Sequence, residues 1–216
     1  MKAMILAAGR GSRMGDLTTK TPKPLTKVLD TTLIEHNIKR ISESGIKEIV
    51  INVSWLGNQI IEHLGDGKSF GIKITYYDEG KNMLGTGGGI YNAINEFGDS
   101  PFWLVNADLF SDFKINIDKK LENDDLAHLI LVDNPSHHPD GDFFLENHRV
   151  IFSKAKKPYT YSGISLLSPK IFQDIDLKIF PLEPILYKYA EENRISGEYF
   201  SGQWTDVGTR ERLESI

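Results

Sequence analysis

The chain has 216 residues, 40% of them hydrophobic, and its 25 basic and 30 acidic residues give a formal net charge of −5 at pH 7. This length and composition predict one domain over residues 1–216 with a substantial core, and the lack of basic blocks argues against nucleic acid as a partner. The absence of cysteine excludes a disulfide framework and fits a cytoplasmic protein, and no apolar run approaches the roughly 18 residues that a membrane span needs.

The first predicted element is a buried strand over residues 2–7, and a glycine-rich loop follows it. Glycines expose backbone N–H groups that bind phosphate oxygens, and nearby cations add positive charge. The loop and the segment after it supply both, at Gly9, Gly11, Arg13, Gly15 and Lys23. Prolines on both sides of the lysine fix the backbone that carries it. The pattern predicts a polyphosphate site, although similar glycine-rich turns occur in dinucleotide-binding folds and as plain turns.

A helix and a strand follow the loop. Apolar residues recur at helical spacing at Ile34, Ile38 and Ile41, and Thr31 or Thr32 is placed to cap the start of this helix. The segment EIVINV after it has the apolar, β-branched composition of a buried strand. This is the first of three strand-and-helix units predicted in the first half of the chain.

The second predicted unit is a helix over residues 56–64 with a strand over 71–77. In the third, a glycine cluster at residues 85–89 precedes a helix of about ten residues through Phe97, and the strand FWLVN comes next. Strands that alternate with helices predict a mainly parallel sheet covered on both faces, with ligands at the carboxyl ends of its strands.

The second half of the chain is less regular. The segments AHLILV, VIF and YTYSGISLL read as strands, and NPSHHPDGD reads as a turn-rich loop. A helix is predicted near Pro181 and Pro184, with Leu186 and Tyr189 on its apolar face, before a last region of strand and loop. This pattern predicts a small insertion on one continuous core.

Two aspartates are candidate ligands for a hard cation. Asp108 ends the apolar strand WLVNAD, and Asp206 lies in the segment QWTDVGT. Mg²⁺ is held in proteins by one or two carboxylates and completed by substrate phosphates. The alternatives for these residues are an Asx turn at Asp108 and a helix N-cap at Asp206.

The histidines do not predict a zinc site. His137 and His138 are adjacent, so their side chains point apart, and no third nitrogen or sulfur ligand stands at a useful spacing. The sequence also lacks the G-x-S-x-G motif of acyl-enzyme hydrolases.

Four segments, LAAGRGSRM, TPKPL, the strand end NAD and WTDVGT, stand in this order and together resemble the sugar-1-phosphate nucleotidyltransferase family. The likeness covers essentially the whole chain. The segments TGGGI, NPSHHPDGDF and YSGI are similar to the short bacterial N-acetylmuramate-1-phosphate uridylyltransferases of peptidoglycan recycling. The resemblance implies an α/β, Rossmann-like nucleotidyltransferase fold, with a mainly parallel central sheet, helices on both faces and a small sugar-binding insertion.

The activity implied by this resemblance is transfer of a uridylyl group from UTP to a sugar 1-phosphate, specifically N-acetylmuramate 1-phosphate, with release of pyrophosphate. Mg²⁺ is the implied cofactor, with Asp108 and Asp206 as its ligands. Lys23 and Arg13 are the implied catalytic residues, because they neutralise phosphate charge in the transition state. The resemblance predicts no oligomeric state.

Further positions follow from the same resemblance. The triphosphate would be bound by Gly11, Ser12 and Arg13. The nucleotide base would lie near Gly85, Thr86 and Gly87. The sugar would face Asn106, Gly141, Ser162 and Gly163.

This sequence departs from the family pattern at three places. Asp16 puts an anion close to the expected triphosphate site, where many relatives have a proline in this segment. Ala107 replaces a common glycine before the strand-end aspartate. The Glu-Lys-Pro element that contacts sugar phosphate in some relatives has no secure equivalent, so the choice among Lys154, Lys156 and Lys157 stays open.

Alternatives remain for the substrates. In the closest rival hypothesis, the acceptor is another sugar 1-phosphate of the glucose or mannose type, or phosphocholine. The nucleotide in that hypothesis is dTTP or GTP instead of UTP. A rival from another class is a nucleotide sensor that kept the pocket and lost turnover. The intact Lys23, Asp108 and Asp206 argue against the sensor.

Overall fold

The computed structural model describes residues 1–122, 124–153, 155, 157–176 and 178–216. Its elements in the first half of the chain are β1 (Ala3–Leu6), β2 (Lys27–Val28), β3 (Thr31–Thr32), α1 (Leu33–Glu43), β4 (Glu48–Val53), α2 (Gly57–Leu64), β5 (Lys73–Asp78), α3 (Gly85–Asn92) and β6 (Phe102–Asn106). Those in the second half are β7 (Leu109–Ser111), β8 (Ala127–Asp133), β9 (Phe144–Glu146), β10 (Arg149–Ile151), β11 (Tyr159–Leu167), α4 (Glu183–Glu191), β12 (Ile195–Tyr199), β13 (Trp204–Asp206) and α5 (Arg210–Glu214).

A mixed sheet joins most of these strands. Within the described residues it has nine strands in the order β5-β4-β1-β6-β11-β8-β12-β10-β9. The strands β5, β4, β1 and β6 are parallel neighbours, β12 is parallel to β8, and β10 and β11 run opposite to the others. The predicted α/β fold with a mainly parallel sheet is confirmed. The hairpin β9–β10 ends the sheet at the side farthest from β5.

The strand order places a ligand crevice at β1. From β1 the sheet continues to β4 on one side and to β6 on the other, so the chain changes direction across the sheet at this strand. In open α/β sheets, ligands bind outside the carboxyl ends of the strands at such a switch point. The glycine-rich loop, which leaves the carboxyl end of β1, lies at this position.

The two faces of the sheet each bury a hydrophobic cluster. Alternate residues of β1 point to opposite faces, as the pleat requires, so Ile5 packs with α1 and α2 while Met4 packs with α3 and α4. On the first face Ile38 of α1 is fully buried, and on the second Leu186 of α4 is fully buried. In the described part of the chain, no helix is long and apolar enough to cross a membrane.

The predicted cap of α1 is confirmed at Thr32. Its hydroxyl accepts a hydrogen bond from the Glu35 backbone N–H, and the Glu35 carboxylate accepts one from the Thr32 backbone N–H. This reciprocal pair satisfies two N–H groups that have no partner within the helix.

The predicted start of α3 is wrong. The glycine cluster forms the helix itself, which begins at Gly85, ends at Asn92 and is followed by a short 3₁₀ turn over Ile94–Glu96. The glycines are needed there because another segment packs directly on the helix. A Cβ at Gly87 would lie 2.4 Å from the Phe180 ring, and one at Gly88 would lie 2.4 Å from the Lys178 carbonyl oxygen. This close approach overrides the low intrinsic helix propensity of glycine.

Candidate functional site

A cavity of about 350 Å³ opens at the carboxyl ends of β1 and β6. Its walls come from the glycine-rich loop, the segment around Lys23, the N-terminus of α3 and the end of β6. Eight of the predicted site residues line it, namely Gly11, Ser12, Arg13, Lys23, Gly85, Thr86, Asn106 and Asp108. The structure therefore brings residues from four separate segments of the sequence to one cavity.

Gly11 allows the loop to pack against the lysine segment. Its φ of +67° lies in the left-handed region that favours glycine, and a Cβ at this position would lie 2.9 Å from the Lys23 Cβ. The Thr18 hydroxyl donates to the Gly11 carbonyl oxygen at 3.0 Å and ties the far end of the loop back to its start. The turn between them, Ser12–Thr18, is a 3₁₀ helix with a kink at Gly15.

Lys23 is held in the wall of the cavity and paired with Asp108. The residue is 8% exposed, and its Nζ lies 2.5 Å from the Asp108 Oδ2. It begins a 3₁₀ turn whose position is set by Pro22, and the Leu25 N–H closes that turn on the Pro22 carbonyl. A lysine this buried requires an anionic partner. The ammonium group is therefore a fixed positive charge beside the cavity.

Asp206 reaches the same region from the other end of the chain. Strand β13 pairs with β7 so that Asp206 stands opposite Leu109, and the Val207 N–H donates to the Asp108 carbonyl oxygen at 2.8 Å. Asp206, at the end of β13, thus lies beside Asp108, which directly precedes β7. Asp108 lines the cavity, whereas Asp206 lies beside it, next to the lining residue Gly208.

The Asp206 carboxylate is held by two side chains that the sequence did not connect to it. Its Oδ2 accepts a hydrogen bond from the Arg212 Nη1 at 2.5 Å. Its Oδ1 lies 3.2 Å from the His137 Nε2, but this buried oxygen forms no hydrogen bond with the described residues. The His137 Nε2 lies 2.7 Å from the same Arg212 nitrogen.

The protonation of His137 explains the unpaired oxygen. Burial lowers the pKa of His137, the Asp206 carboxylate opposes this shift, and the nearby charges of Arg212 and Arg13 add to it. The Arg212 Nη1 can only donate, so the His137 Nε2 accepts this hydrogen bond and has no proton there to donate to Asp206. The Asp206 Oδ1 is therefore a buried acceptor without a hydrogen bond to the described residues.

These residues fit a magnesium ion. Two neighbouring aspartates, Asp108 just before β7 and Asp206 at the end of β13, supply hard oxygen ligands, and one Asp206 oxygen is buried without a hydrogen bond to any described residue. Among the described residues, no group of three or more His, Asp or Glu side chains is arranged to hold a metal alone. A site of this kind needs oxygens from a substrate to complete the coordination of Mg²⁺.

A chain of hydrogen bonds through Asn52 and Glu79 supports the cavity at the ends of β4 and β5. Asn52 accepts from the Ala7 N–H at 2.9 Å and donates to the Glu79 Oε1 at 2.7 Å, while the second Glu79 oxygen accepts from the Leu84 N–H at 2.8 Å. Asn52 and Glu79 line the cavity, and sequence reasoning missed both. The available signal was their place at the carboxyl ends of two predicted parallel strands.

The three residues predicted near the base have different positions. Gly85 and Thr86 line the cavity, and the Thr86 hydroxyl accepts from the Leu182 N–H at 2.8 Å. Gly87 is buried and packs on Phe180, away from the lining. The contact between α3 and the segment before α4 therefore fixes this wall.

A second cavity of about 160 Å³ adjoins the first. Both cavities are lined by Leu6, Thr86 and Asn106. The second is also lined by Asp142, Phe143, Tyr161, Leu182, Glu183, Leu186 and Tyr187. Its walls combine aromatic and apolar groups with two carboxylates, which suits a polyhydroxylated ligand.

The predicted sugar residues surround this cavity without all lining it. Asn106 lines both cavities, and a Cβ at Gly163, whose φ is +78°, would lie 2.5 Å from the Asn106 amide nitrogen. Gly141 lies beside the lining residue Asp142. Ser162 is buried, and its carbonyl oxygen accepts from the Trp204 indole at 2.9 Å.

A β-bulge explains the placement of these residues. The pairing of β11 with β8 shifts register between Tyr161 and Ser165, so Ser162 and Gly163 leave the regular ladder beside the end of β6. Bulges of this kind re-aim side chains next to binding sites. Asp142 is fixed at the same place, because its carboxylate accepts from the Tyr161 N–H at 2.8 Å and lies 2.9 Å from the His138 Nε2.

Two further charged residues that the structure describes, Lys157 and Asp16, lie outside the two linings. Lys154 and Lys156 lie outside the described residues, and the Lys157 Nζ is 5.5 Å from the Phe152 ring centre, which in turn stacks on Tyr187. Asp16 is exposed on the turn and does not line the larger cavity. The structure thus keeps the charge of Asp16 outside the cavity wall.

Comparison with known proteins gives the same family throughout. The family model described as "Nucleotidyl transferase" matches residues 2–139. The N-acetylmuramate alpha-1-phosphate uridylyltransferase of Neisseria meningitidis serogroup B is 42% identical over 99% of this chain and 96% of its own length. The protein of the same name from Caulobacter vibrioides is 30% identical over 95% of this chain and 91% of its own.

Solved structures share the fold. A Bacillus anthracis protein in complex with a sucrose has a TM-score of 0.88 at 24% identity and covers 100% of this chain and 93% of its own. HddC from Yersinia pseudotuberculosis, complexed with GMP-PN, has a TM-score of 0.81 at 22% identity, with 99% and 96% covered. Family match, full-length relatives and fold agree, and the chain belongs to the nucleotidyl transferase family.

Proposed function

We propose that this protein transfers the uridylyl group of UTP to N-acetylmuramate α-1-phosphate and releases pyrophosphate. The names of the two curated relatives support the choice of substrates. The observation that carries the proposal is the pair formed by Lys23 and Asp108, which stands in the wall of a cavity that opens into a second one. We further propose that the 216 residues act as one domain, in the cytoplasm where nucleoside triphosphates are made.

The chemistry requires no side-chain nucleophile or general base. The phosphate of a sugar 1-phosphate has a second pKa near 6, so its attacking oxygen is ionised at neutral pH. That oxygen forms a bond to the α-phosphorus of UTP, while the bond from the α-phosphorus to the bridging oxygen breaks and pyrophosphate leaves with the electron pair. The protein must bring two anions together and neutralise the charge between them.

In this proposal the larger cavity takes the nucleotide. Gly11, Ser12 and Arg13 bind the triphosphate through backbone N–H groups and the guanidinium. Lys23 lies next to Asp108 and offsets the charge that develops on the phosphate oxygens in the transition state. Gly85 and Thr86 lie against the base, and the Glu79 carboxylate accepts the N3–H of uracil, a donor that cytosine lacks.

Asp108 and Asp206 would hold Mg²⁺ beside the reacting phosphorus. When bound, the ion polarises phosphate oxygens and screens their charge. Each carboxylate is paired with a cationic side chain in the structure, Lys23 for Asp108 and Arg212 for Asp206. These pairs orient both carboxylates before the substrates arrive.

The smaller cavity takes the sugar in this proposal. Asn106 stands at the junction of the two cavities, close to where the sugar phosphate must meet the nucleotide. Gly163 and Gly141 act indirectly, because the first allows the Asn106 amide to lie against the bulge and the second precedes Asp142. Ser162 supports the bulge through Trp204.

A second acceptor is favoured by one specific observation. Asp142 and Glu183 give the smaller cavity two carboxylates, which accept hydrogen bonds from sugar hydroxyls and repel the lactyl carboxylate of muramate. A neutral hexose 1-phosphate therefore remains a candidate acceptor for the same reaction.

Pyrophosphate release measured over a panel of acceptors and nucleotides tests the proposal. With Mg²⁺ and UTP, N-acetylmuramate α-1-phosphate should give the highest kcat/KM, ahead of N-acetylglucosamine 1-phosphate, glucose 1-phosphate, mannose 1-phosphate and phosphocholine. CTP should replace UTP poorly. Faster turnover of a neutral sugar 1-phosphate would identify that compound as the acceptor. No turnover with any acceptor would favour the nucleotide sensor.

A further inference from the structure

Arg212 pairs with the proposed metal ligand Asp206 and packs on the wall of the larger cavity. Its Nη1 lies 2.5 Å from the Asp206 Oδ2. Its Nη2 lies only 2.0 Å from the place where a Cβ at Gly208 would stand, and Gly208 lines the larger cavity. The guanidinium thus lies at the edge of the proposed triphosphate site, where a side chain at position 208 would displace it.

The helix that carries Arg212 is fixed to the phosphate loop. Leu213 and Ile216 pack against the cluster that contains Met14 of the loop and Val207. The Thr209 hydroxyl caps the start of α5 by accepting from the Arg212 N–H. Arg212 therefore keeps its position relative to the loop even though its own side chain can rotate.

The charges around Asp206 indicate a displaceable contact. Arg212 satisfies one carboxylate oxygen, while the other is buried and forms no hydrogen bond within the described part of the chain. A single divalent cation at Asp206 would neutralise this carboxylate and free Arg212 for a phosphate.

We propose that Arg212 is a phosphate-binding residue that occupies Asp206 until a divalent cation takes its place. The inference rests on the proposed nucleotidyl transfer for its ligands. In the free protein the guanidinium holds the carboxylate and competes with the metal. When a divalent cation and UTP are bound, the Arg212 guanidinium turns from Asp206 to an oxygen of the triphosphate, at the same edge of the cavity.

The first test measures metal affinity without nucleotide. The free Mn²⁺ concentration is followed by electron paramagnetic resonance during titration of the wild type, Arg212→Gln, Arg212→Lys and Arg210→Gln. Arg210 is exposed on the same short helix, so its substitution makes the same charge change without touching Asp206. Removal of the competing cation should tighten Mn²⁺ binding about fivefold in Arg212→Gln, with Arg212→Lys close to the wild type and Arg210→Gln within twofold of it.

The second test measures UTP affinity by calorimetry in Mg²⁺ and again in EDTA. Arg212→Gln should weaken UTP binding about tenfold in Mg²⁺ and less than threefold in EDTA, because only the metal frees the guanidinium in the wild type. The two tests thus predict changes of opposite sign. A residue that merely held α5 in place would weaken both ligands when substituted.

Two results would overturn the inference. The first is an Mn²⁺ affinity of Arg212→Gln that equals or falls below that of the wild type, or Mn²⁺ binding that is undetectable in both the wild type and Arg212→Gln. The second is a UTP affinity of Arg212→Gln that falls by the same factor with and without Mg²⁺. Neither depends on turnover. If the protein releases no pyrophosphate with any acceptor but shows the opposite changes in metal and UTP affinity, the proposed function fails while the role of Arg212 stands.

Discussion

The two adjoining cavities are lined by different kinds of chemical groups. The larger one is lined by a glycine-rich loop, the start of α3 at Gly85 and the ends of strands, with Lys23 and Arg13 as its cations. The smaller one is lined by larger polar and aromatic side chains from several elements, including Phe143, Tyr161 of the bulged strand and Tyr187 of α4. Backbone and fixed charge suit phosphate groups that every nucleotide shares, whereas side chains shape a pocket for one sugar. The comparison teaches that rate should depend on the first region and acceptor choice on the second.

Loss of the fixed charge in the larger cavity should have the largest effect. Lys23→Ala and Asp108→Ala should each lower kcat more than a hundredfold, because one preorganised charge contact is worth about 3 kcal/mol in the transition state. Pyrophosphate release by folded variants measures this. Lys20→Ala, an exposed lysine near the same loop, is the control and should keep its rate. A near-normal rate in either variant would remove the charge pair from the mechanism.

The contact between α3 and the segment through Phe180 should not tolerate even a single added methyl group. Gly87→Ala places a Cβ 2.4 Å from the Phe180 ring and 3.0 Å from the Pro181 carbonyl oxygen. Overpacking of this kind should lower the free energy of unfolding by about 1–3 kcal/mol in urea denaturation. Gly9→Ala is the matched control, since a Cβ there meets no atom within 4 Å. Equal stability of both variants would show that α3 moves to accept the side chain.

Substitution in the smaller cavity should separate the two substrates. Tyr187→Ala removes one wall of that cavity and should raise the KM for the sugar phosphate about tenfold, the usual cost of a lost pocket contact. The KM for UTP should stay within twofold. Tyr199→Ala, which removes an exposed tyrosine from the sheet edge, should leave both values unchanged. An equal rise in both KM values would contradict the assignment of UTP to the larger cavity and of the sugar phosphate to the smaller one.

The smallest effect is expected at Asp16. Its carboxylate is exposed on the turn beyond the cavity, so solvent and salt screen it from a bound triphosphate. Asp16→Asn should lower the KM for UTP by less than about twofold, and the difference should disappear as ionic strength rises. A severalfold change that persists in high salt would mean that the loop brings Asp16 into the site when UTP binds.

The first half of the fold and the charge groups near β1 were predictable from sequence. Regular spacing of apolar residues identified α1 and α2, and strand-end position identified Asp108. The start of α3 was not predictable, because the segment through Phe180 packs on glycines that would otherwise read as a helix breaker. Propensity describes an isolated segment, and here a distant contact outweighs it.

The polar partners within the site were harder to predict. Asn52 and Glu79 form a pair between two strands, and Arg212 contacts Asp206 from the next helix. Such contacts depend on register and side-chain direction, which leave no periodic pattern in a single sequence. The expected sugar contact of Ser162 stays a prediction, since Ser162 lies next to the smaller cavity without lining it, in the bulge where its carbonyl oxygen accepts from Trp204.

The shared wall has a consequence for the product. Leu6, Thr86 and Asn106 line both cavities, so a nucleotide sugar would fill the two at once. A molecule that joins both halves loses its translational and rotational freedom only once on binding, and each half acts at a high effective concentration for the other. The enzyme should therefore be inhibited by its own product, and a stable bisubstrate analogue should outcompete either substrate.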